Sequence, residues 1–376
     1  MHIHTMISTI DTHTAGEPTR IVTGGIPHIP GKTMMEKKIW MQDHLDHVRK
    51  MLMLEPRGHK DMFGAVITSP CCNDAHAGVI FMDSKGYLDM CGHGSIGAVT
   101  VLLNTGMVTL QDLSENINQN NSRQIILDTP AGTITACAAI ENGAATEVSI
   151  RNVPSFYYDT LYIDLPSVGR INVDIAYGGN FFALVNVKEL KMELEVENID
   201  RLTSAGLEIR NLVNDAITVI HPATGAKCQV PLTEIYQENY RDHAYPDHDH
   251  ALMGTTKNES RMIANSSKNF HIKSFNKRAS CRNIVVFGNG QIDRSPCGTG
   301  TCAKMAYLYE KGKLGIGEPY LHSSIINTVF TGTILEEAVV GNKRAILPQI
   351  TGRAHITGFH SFIAETDDPF KEGFSL

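Results

Sequence analysis

Two stretches that read alike decide the fold: Met90–Val108, MCGHGSIGAVTVLLNTGMV, and Pro296–Leu314, PCGTGTCAKMAYLYEKGKL. Each contains C-G-x-G-[ST] followed by an apolar run of helical spacing, and each has a Gly fifteen positions after its Cys, at Gly106 and Gly312. Glycine accepts the left-handed conformation that ends many helices, so each stretch reads as a helix entered at a cysteine and left at a glycine. A repeat at this separation splits the chain into two related domains. The expected boundaries are 1–152 for the domain with the Cys91 motif, with 350–376 as a candidate addition to it, and 153–349 for the domain with the Cys297 motif.

Outside the repeat, short runs of alternating apolar and polar residues dominate. Arg123–Val153, RQIILDTPAGTITACAAIENGAATEVSIRNV, predicts strands joined by tight turns. Helical spacing is found at Ser95–Leu103, Asn198–Ala216 and Thr301–Lys311. The fold class is therefore α/β (α+β) and strand-rich. Asn239–Phe270 is polar and aperiodic, and predicts an insertion in the second half. It carries Asp242, His243, Asp247, His248, Asp249 and His250, but without a recognisable ligand spacing it reads as a solvated loop and not a metal site.

With 376 residues, 42% hydrophobic and 19% charged, the chain has ample material for two packed cores. A net charge of −7 and the lack of a basic stripe argue against a nucleic-acid partner. No apolar run is long enough to predict a membrane span, and MHIHTMISTIDTHTAGEP resembles no export leader, so a cytoplasmic address is expected. The eight cysteines are scattered and form no C-x-x-C pair, as in a protein of reduced thiols.

The chemistry suggested by the repeat follows from its residue types. A cysteine at a helix entrance meets unpaired backbone N–H groups and the positive end of the helix dipole, which should lower its thiol pKa. Gly92, Gly94, Gly298 and Gly300 clear side chains from that entrance, so backbone N–H groups can reach a small carboxylate. If the two motifs face each other across a cleft, one thiolate and one thiol flank a single carbon. That pair can take a proton from one face and return one to the other, inverting a stereocentre next to a carboxylate with no cofactor or metal.

Three other readings compete. Gly92-x-Gly94-x-x-Gly97, with Asp112 further on, fits a dinucleotide fingerprint by letter, but it explains neither the cysteine in both copies nor the hairpins that follow. A cysteine hydrolase could pair Cys91 with His93, which leaves the second motif idle. A binding protein with two structural cysteines is the third.

MCGHGSIG and DRSPCGTGT resemble the two signature motifs of the proline racemase family. IDTHTAGEPTRIV, EPRGHKDMFGAV, GGNFFALV and ITGFHSFI also resemble family blocks, in the family's order. One departure is Ala75-His76-Ala77-Gly78, where the family usually has A-D-F-G. The resemblance implies a fold similar to diaminopimelate epimerase: two pseudo-symmetric domains, each a curved, mostly antiparallel sheet around a core helix, with the active site between them and a homodimer as the assembly. It implies Cys91 and Cys297 as acid/base residues, Gly92, His93, Gly94, Gly298 and Thr299 lining the carboxylate and amine site, and Asp293 binding the substrate ammonium. Phe63, Leu88 and Phe287 would form an apolar wall suited to an unsubstituted pyrrolidine ring. Dehydratases of the family typically carry Thr at the position of Cys297, so this cysteine argues for two-base chemistry. The expected substrate is proline, with 4-hydroxyproline 2-epimerisation as the alternative, trans-3-hydroxy-L-proline dehydration further off, and no cofactor.

Overall fold

The computed structural model describes residues 3–115, 121–238 and 279–375. The expected insertion at Asn239–Phe270, with its histidines and aspartates, lies outside the described residues.

The first half runs β1 (Ile3–Thr14), β2 (Glu17–Gly24), α1 (Met34–Met53), β3 (Phe63–Thr68), β4 (Ala77–Asp83), β5 (Tyr87–Leu88), α2 (Gly92–Asn104), β6 (Ser114–Glu115), β7 (Ser122–Thr129), β8 (Gly132–Glu141) and β9 (Ala144–Arg151). The second runs β10 (Ser155–Leu165), β11 (Gly169–Tyr177), β12 (Phe181–Asn186), α3 (Ile199–Ala216), β13 (Val219–Ile220), β14 (Lys227–Cys228), β15 (Leu232–Glu238), β16 (Ala279–Phe287), β17 (Gln291–Asp293), α4 (Gly298–Glu310), β18 (Pro319–Ser324), β19 (Val329–Val340), β20 (Lys343–Gly352) and β21 (Ala354–Glu365).

Pairing is the same in the two halves. In the first, α1 links parallel strands β2 and β3, β4 pairs antiparallel with β3 and β5, and α2 leads to β7, parallel to β4. In the second, α3 links parallel strands β12 and β15, β16 pairs antiparallel with β15 and β17, and α4 leads to β18, parallel to β16. The repeat read from two short motifs thus extends to the main strand pairings, in a sheet-dominated mixed α/β fold of two domains; the β13–β14 ribbon belongs to the second half alone. Strands cross the division too: β20 pairs with both β9 and β10, and β21 pairs along β1.

Each half wraps its sheet around one helix. Every residue of α2 from Gly92 to Leu103 is buried, as is every residue of α4 from Gly298 to Leu308. Helices covered on all sides belong in a core. Both end as their sequences predict, with Gly106 at φ +72° and Gly312 at φ +67°. The outer helices bury one stripe each; in α3 it is Leu202, Ala205, Gly206, Ile209 and Val213. Helix α1 is absent from the helices expected from spacing. It begins at a Thr33-x-x-Glu36 capping pattern, in which Thr33 Oγ1 accepts the Glu36 N–H at 3.1 Å, and it departs from helical geometry at Leu45.

Candidate active site

The two core helices meet at their first residues. A β-carbon on Gly92 would lie 3.1 Å from Gly298 Cα, and one on Gly298 would lie 3.1 Å from Gly92 Cα and 2.8 Å from Ile350 Cδ1. Only glycine lets two helix entrances approach this closely. The cysteines one residue upstream are therefore brought together from opposite halves, 8% and 6% exposed.

The [ST] of each motif has a structural task. Ser95 Oγ donates to the Cys91 carbonyl at 2.6 Å, and Thr301 Oγ1 donates to the Cys297 carbonyl at 2.7 Å. The first intrahelical backbone bonds run to the same two carbonyls, from the Ser95 N–H at 3.0 Å and the Thr301 N–H at 2.8 Å. The N–H groups of Gly92, Gly298 and Thr299 precede that first bond and have no intrahelical partner, while the His93 N–H acts on the Cys91 thiol. Gly178, in GGNFFALV, belongs to the same construction: a β-carbon there would sit 2.1 Å from the Thr299 carbonyl oxygen.

The thiol environments differ in detail. Cys91 Sγ accepts the Gly94 N–H at 3.3 Å and lies 3.3 Å from His93 Nδ1. Cys297 Sγ lies 3.8 Å from Thr299 Oγ1, and its residue holds φ +63°, a left-handed conformation that is strained for a side chain with a β-carbon. Cys91 has an ordinary extended backbone, φ −148°.

The expectation that the helix entrances pull both thiols below the free value is corrected by their burial. Burial pushes both well above the ordinary thiol range; the N–H groups of Gly94 and Gly300 act downward on their own cysteines, and the Asp293 carboxylate pushes both up. Asp293 therefore acts on both thiols. Its Oδ1 accepts from the Ser295 N–H at 2.8 Å and the Ser295 hydroxyl at 2.7 Å, and Ser295 Oγ in turn accepts the Cys297 N–H at 3.1 Å.

Glu17 was not among the expected site residues. It is buried, its Oε2 accepts the Arg294 N–H at 2.8 Å, and burial followed by the nearby Asp293 raises its carboxyl well above the usual range. The signal lay in IDTHTAGEPTRIV, where a carboxylate interrupts a tight hairpin. Arg294 also reaches Asp61 at 3.0 Å, tying the DRSPC segment to the first half.

Of the expected wall, Phe63 packs edge-on against His93 with ring centroids 4.5 Å apart. Leu88 pairs with Phe81 and packs on the apolar cluster that contains Cys91 and Phe63. Phe287 ends β16 opposite Gln291, in the hairpin that carries Asp293. His76, the departure from the family pattern, serves as a clip: its Nδ1 accepts the Ile126 N–H at 3.0 Å. Beside the first motif, a cavity of about 220 Å³ is lined by Met90, Ile134, Arg151, Asn152 and Val153, among others.

The profile of the family described as proline racemase matches residues 9–261 and 249–375. A proline racemase of Acetoanaerobium sticklandii is 46% identical, and one of Clostridioides difficile 43% identical, each over 98% of both chains. A solved hydroxyproline epimerase from Agrobacterium vitis, with trans-4-hydroxy-L-proline bound, superimposes with a TM-score of 0.79 at 30% identity, covering 100% of this chain and 97% of that one. By its sequence over nearly its whole length and by its fold, this chain belongs to the proline racemase family and is an isomerase of the racemase/epimerase kind.

Proposed function

We propose that the protein interconverts L- and D-proline by opposed acid/base thiols, with the substrate held between a lobe of residues 1–152 plus 350–376 and a lobe of residues 153–349. The observation that carries this reading is the contact of Gly92 with Gly298, which brings two cysteine-bearing helix entrances to one spot. The N–H groups of Gly92, Gly298 and Thr299 there suit a carboxylate, and Asp293 suits the ring ammonium. A bound ammonium neutralises the carboxylate that pushes both thiols up, so substrate binding itself favours a thiolate.

In one direction the thiolate of one cysteine takes the α-proton. The C–H bond breaks, an S–H bond forms, and the electron pair moves into the carboxylate, where the helix N-termini stabilise it. The other cysteine gives its proton to the opposite face and is left as thiolate. Protons balance, and the enzyme ends with its two protonation states exchanged. His93, Thr299 and the glycines line the site; Phe63, Leu88 and Phe287 wall the ring.

Dialysed, chelator-treated protein is expected to racemise L-proline in a polarimeter without pyridoxal phosphate, metal or nicotinamide. Activity that returned only with pyridoxal phosphate would overturn the mechanism. An apolar wall leaves a 4-hydroxyl without a partner, so trans-4-hydroxy-L-proline is expected to have a kcat/KM lower by on the order of tenfold or more. Equal kcat/KM for the two substrates would favour the epimerase reading instead. Among the described residues no helix is long and apolar enough to cross a membrane. A cytoplasmic homodimer is the expected working form, which light scattering of the purified protein checks.

A further inference from the structure

Aligning the repeats on their cysteines places Gly300 with Gly94, Thr301 with Ser95, Lys304 with Ala98 and Tyr307 with Val101. In the first half, a β-carbon on Gly94 would meet the rings of Phe81 at 3.0 Å and Phe63 at 3.1 Å. In the second, a β-carbon on Gly300 would meet Glu234 Oε2 at 2.9 Å and Cys297 Sγ at 3.3 Å. An apolar layer under one core helix is matched by an ionisable layer under the other.

Glu234, Thr301, Lys304 and His322 are all completely buried. His322 Nε2 lies 3.4 Å from Glu234 Oε1, and its Nδ1 is 2.9 Å from Thr301 Oγ1. The Thr301 hydroxyl has one proton and gives it to the Cys297 carbonyl, so Nδ1 must be the donor in its bond to that oxygen. A chain of contacts thus runs from Glu234 through His322 and Thr301 to the backbone of Cys297. The Lys304 ammonium sits over the Tyr236 ring, 2.8 Å from its centroid, and 4.3 Å from that of Tyr307. Burial lowers its pKa to about 8, with Cys281 and Glu234 acting the other way.

Both Glu234 oxygens and Lys304 Nζ are buried without a hydrogen-bond partner among the described residues, so Glu234 and Lys304 act on each other by charge alone, while His322 Nε2 lies beside Glu234 at 3.4 Å. Among the described residues, the Cys297 thiol is faced by Asp293 from β17, Glu234 from β15, and the Thr299 hydroxyl and Gly300 N–H from α4. The carboxylates facing Cys91 are Asp293 and Glu17, the latter held to Arg294. Among the described residues, Glu234 acts on the second thiol and Glu17 on the first.

We propose that Glu234, buried beside His322 and packed around Gly300 against Cys297, is a positioning residue that makes the two thiols of the site unequal. A two-base racemase alternates between forms with opposite protonation, and this carboxylate sets which form predominates at rest. The inference rests on Cys297 being an acid/base thiol, but its test does not require turnover.

The test is alkylation of the whole protein by iodoacetamide across the neutral to alkaline range, with Cys91 and Cys297 followed separately by peptide mass spectrometry. In Glu234→Gln, Cys297 is expected to be labelled on the order of tenfold faster at neutral pH, its midpoint moving down, while Cys91 is unchanged. Glu234→Asp, which keeps the charge, should label like the unaltered protein. Glu234→Gln removes one of the carboxylates acting on the buried Lys304 and can lower stability; the double variant Glu234→Gln/Lys304→Met removes both charges and should shift Cys297 in the same direction. An unchanged Cys297 midpoint in a folded variant, or equal shifts of both thiols, overturns the proposal. If the unaltered protein failed to racemise proline while Cys297 still shifted, the proposed function would fall and this inference would stand.

Discussion

Cys91→Ser and Cys297→Ser are each expected to abolish racemisation in both directions, by a factor on the order of 10³ or more in kcat. Each direction uses one thiol as base and the other as acid, so losing either interrupts both. A serine hydroxyl ionises far above neutral pH and replaces neither role. Solvent exchange gives a sharper readout. In deuterated water each single variant keeps one thiol, which can remove and restore the α-proton on one face only, so the two variants should exchange opposite enantiomers. Chiral chromatography with mass detection follows both processes at once. Near-normal racemisation by Cys297→Ser beside a dead Cys91→Ser would overturn the opposed-thiol mechanism and restore the reading in which Cys91 and His93 act as a single nucleophilic pair.

Gly298→Ala should cost on the order of a hundredfold in kcat/KM with a comparatively small fall in Tm. The added methyl would sit 2.8 Å from the flexible tip of Ile350, which can give way, but 3.1 Å from Gly92 Cα, which is backbone and cannot rotate aside. The relief available is a separation of the two helix starts. Both helices are held by their own sheets, so stability should suffer less than alignment, and misplacement by a fraction of an ångström at a reacting carbon is enough to slow proton transfer. A Gly298→Ala variant with unaltered kcat/KM would show that the close approach of the two entrances is not what sets the geometry of proton transfer.

Much of this was legible in the sequence, for identifiable reasons. C-G-x-G-[ST] with a glycine fifteen residues on fixes a helix at both ends by backbone conformation alone, and Gly106 and Gly312 take the predicted left-handed geometry. The hairpins of Arg123–Val153 were legible because one face of each strand is buried: β8 alternates through Ile134, Ala136, Ala138 and Ile140. Helix α1 was harder, since it buries Lys37 and Arg49 and bends at Leu45, which breaks its apolar period. Thiol pKa was misjudged because a helix entrance is a local feature, whereas burial depends on strands and helices from both halves. Glu17, Glu234 and Lys304 escaped for a related reason. Glu17 and Glu234 lie far from both cysteines in sequence and reach the site on strands β2 and β15, while Lys304, two turns along α4 from Cys297, reads as one polar residue in an apolar helical run until the burial of that whole helix is seen.

The strand order also bears on how the protein is made. β1 leaves the ribosome long before β21, yet one of its two edges pairs with β21, with Ile3 opposite Glu365 and Thr14 opposite Ala354. Until residues 354–365 have been synthesised, that edge has no native partner and presents open backbone to whatever strand passes by. That pairing of the first half therefore cannot form until all strands of the second half have been made. Translation sets the order in which the outer edge of β1 can close.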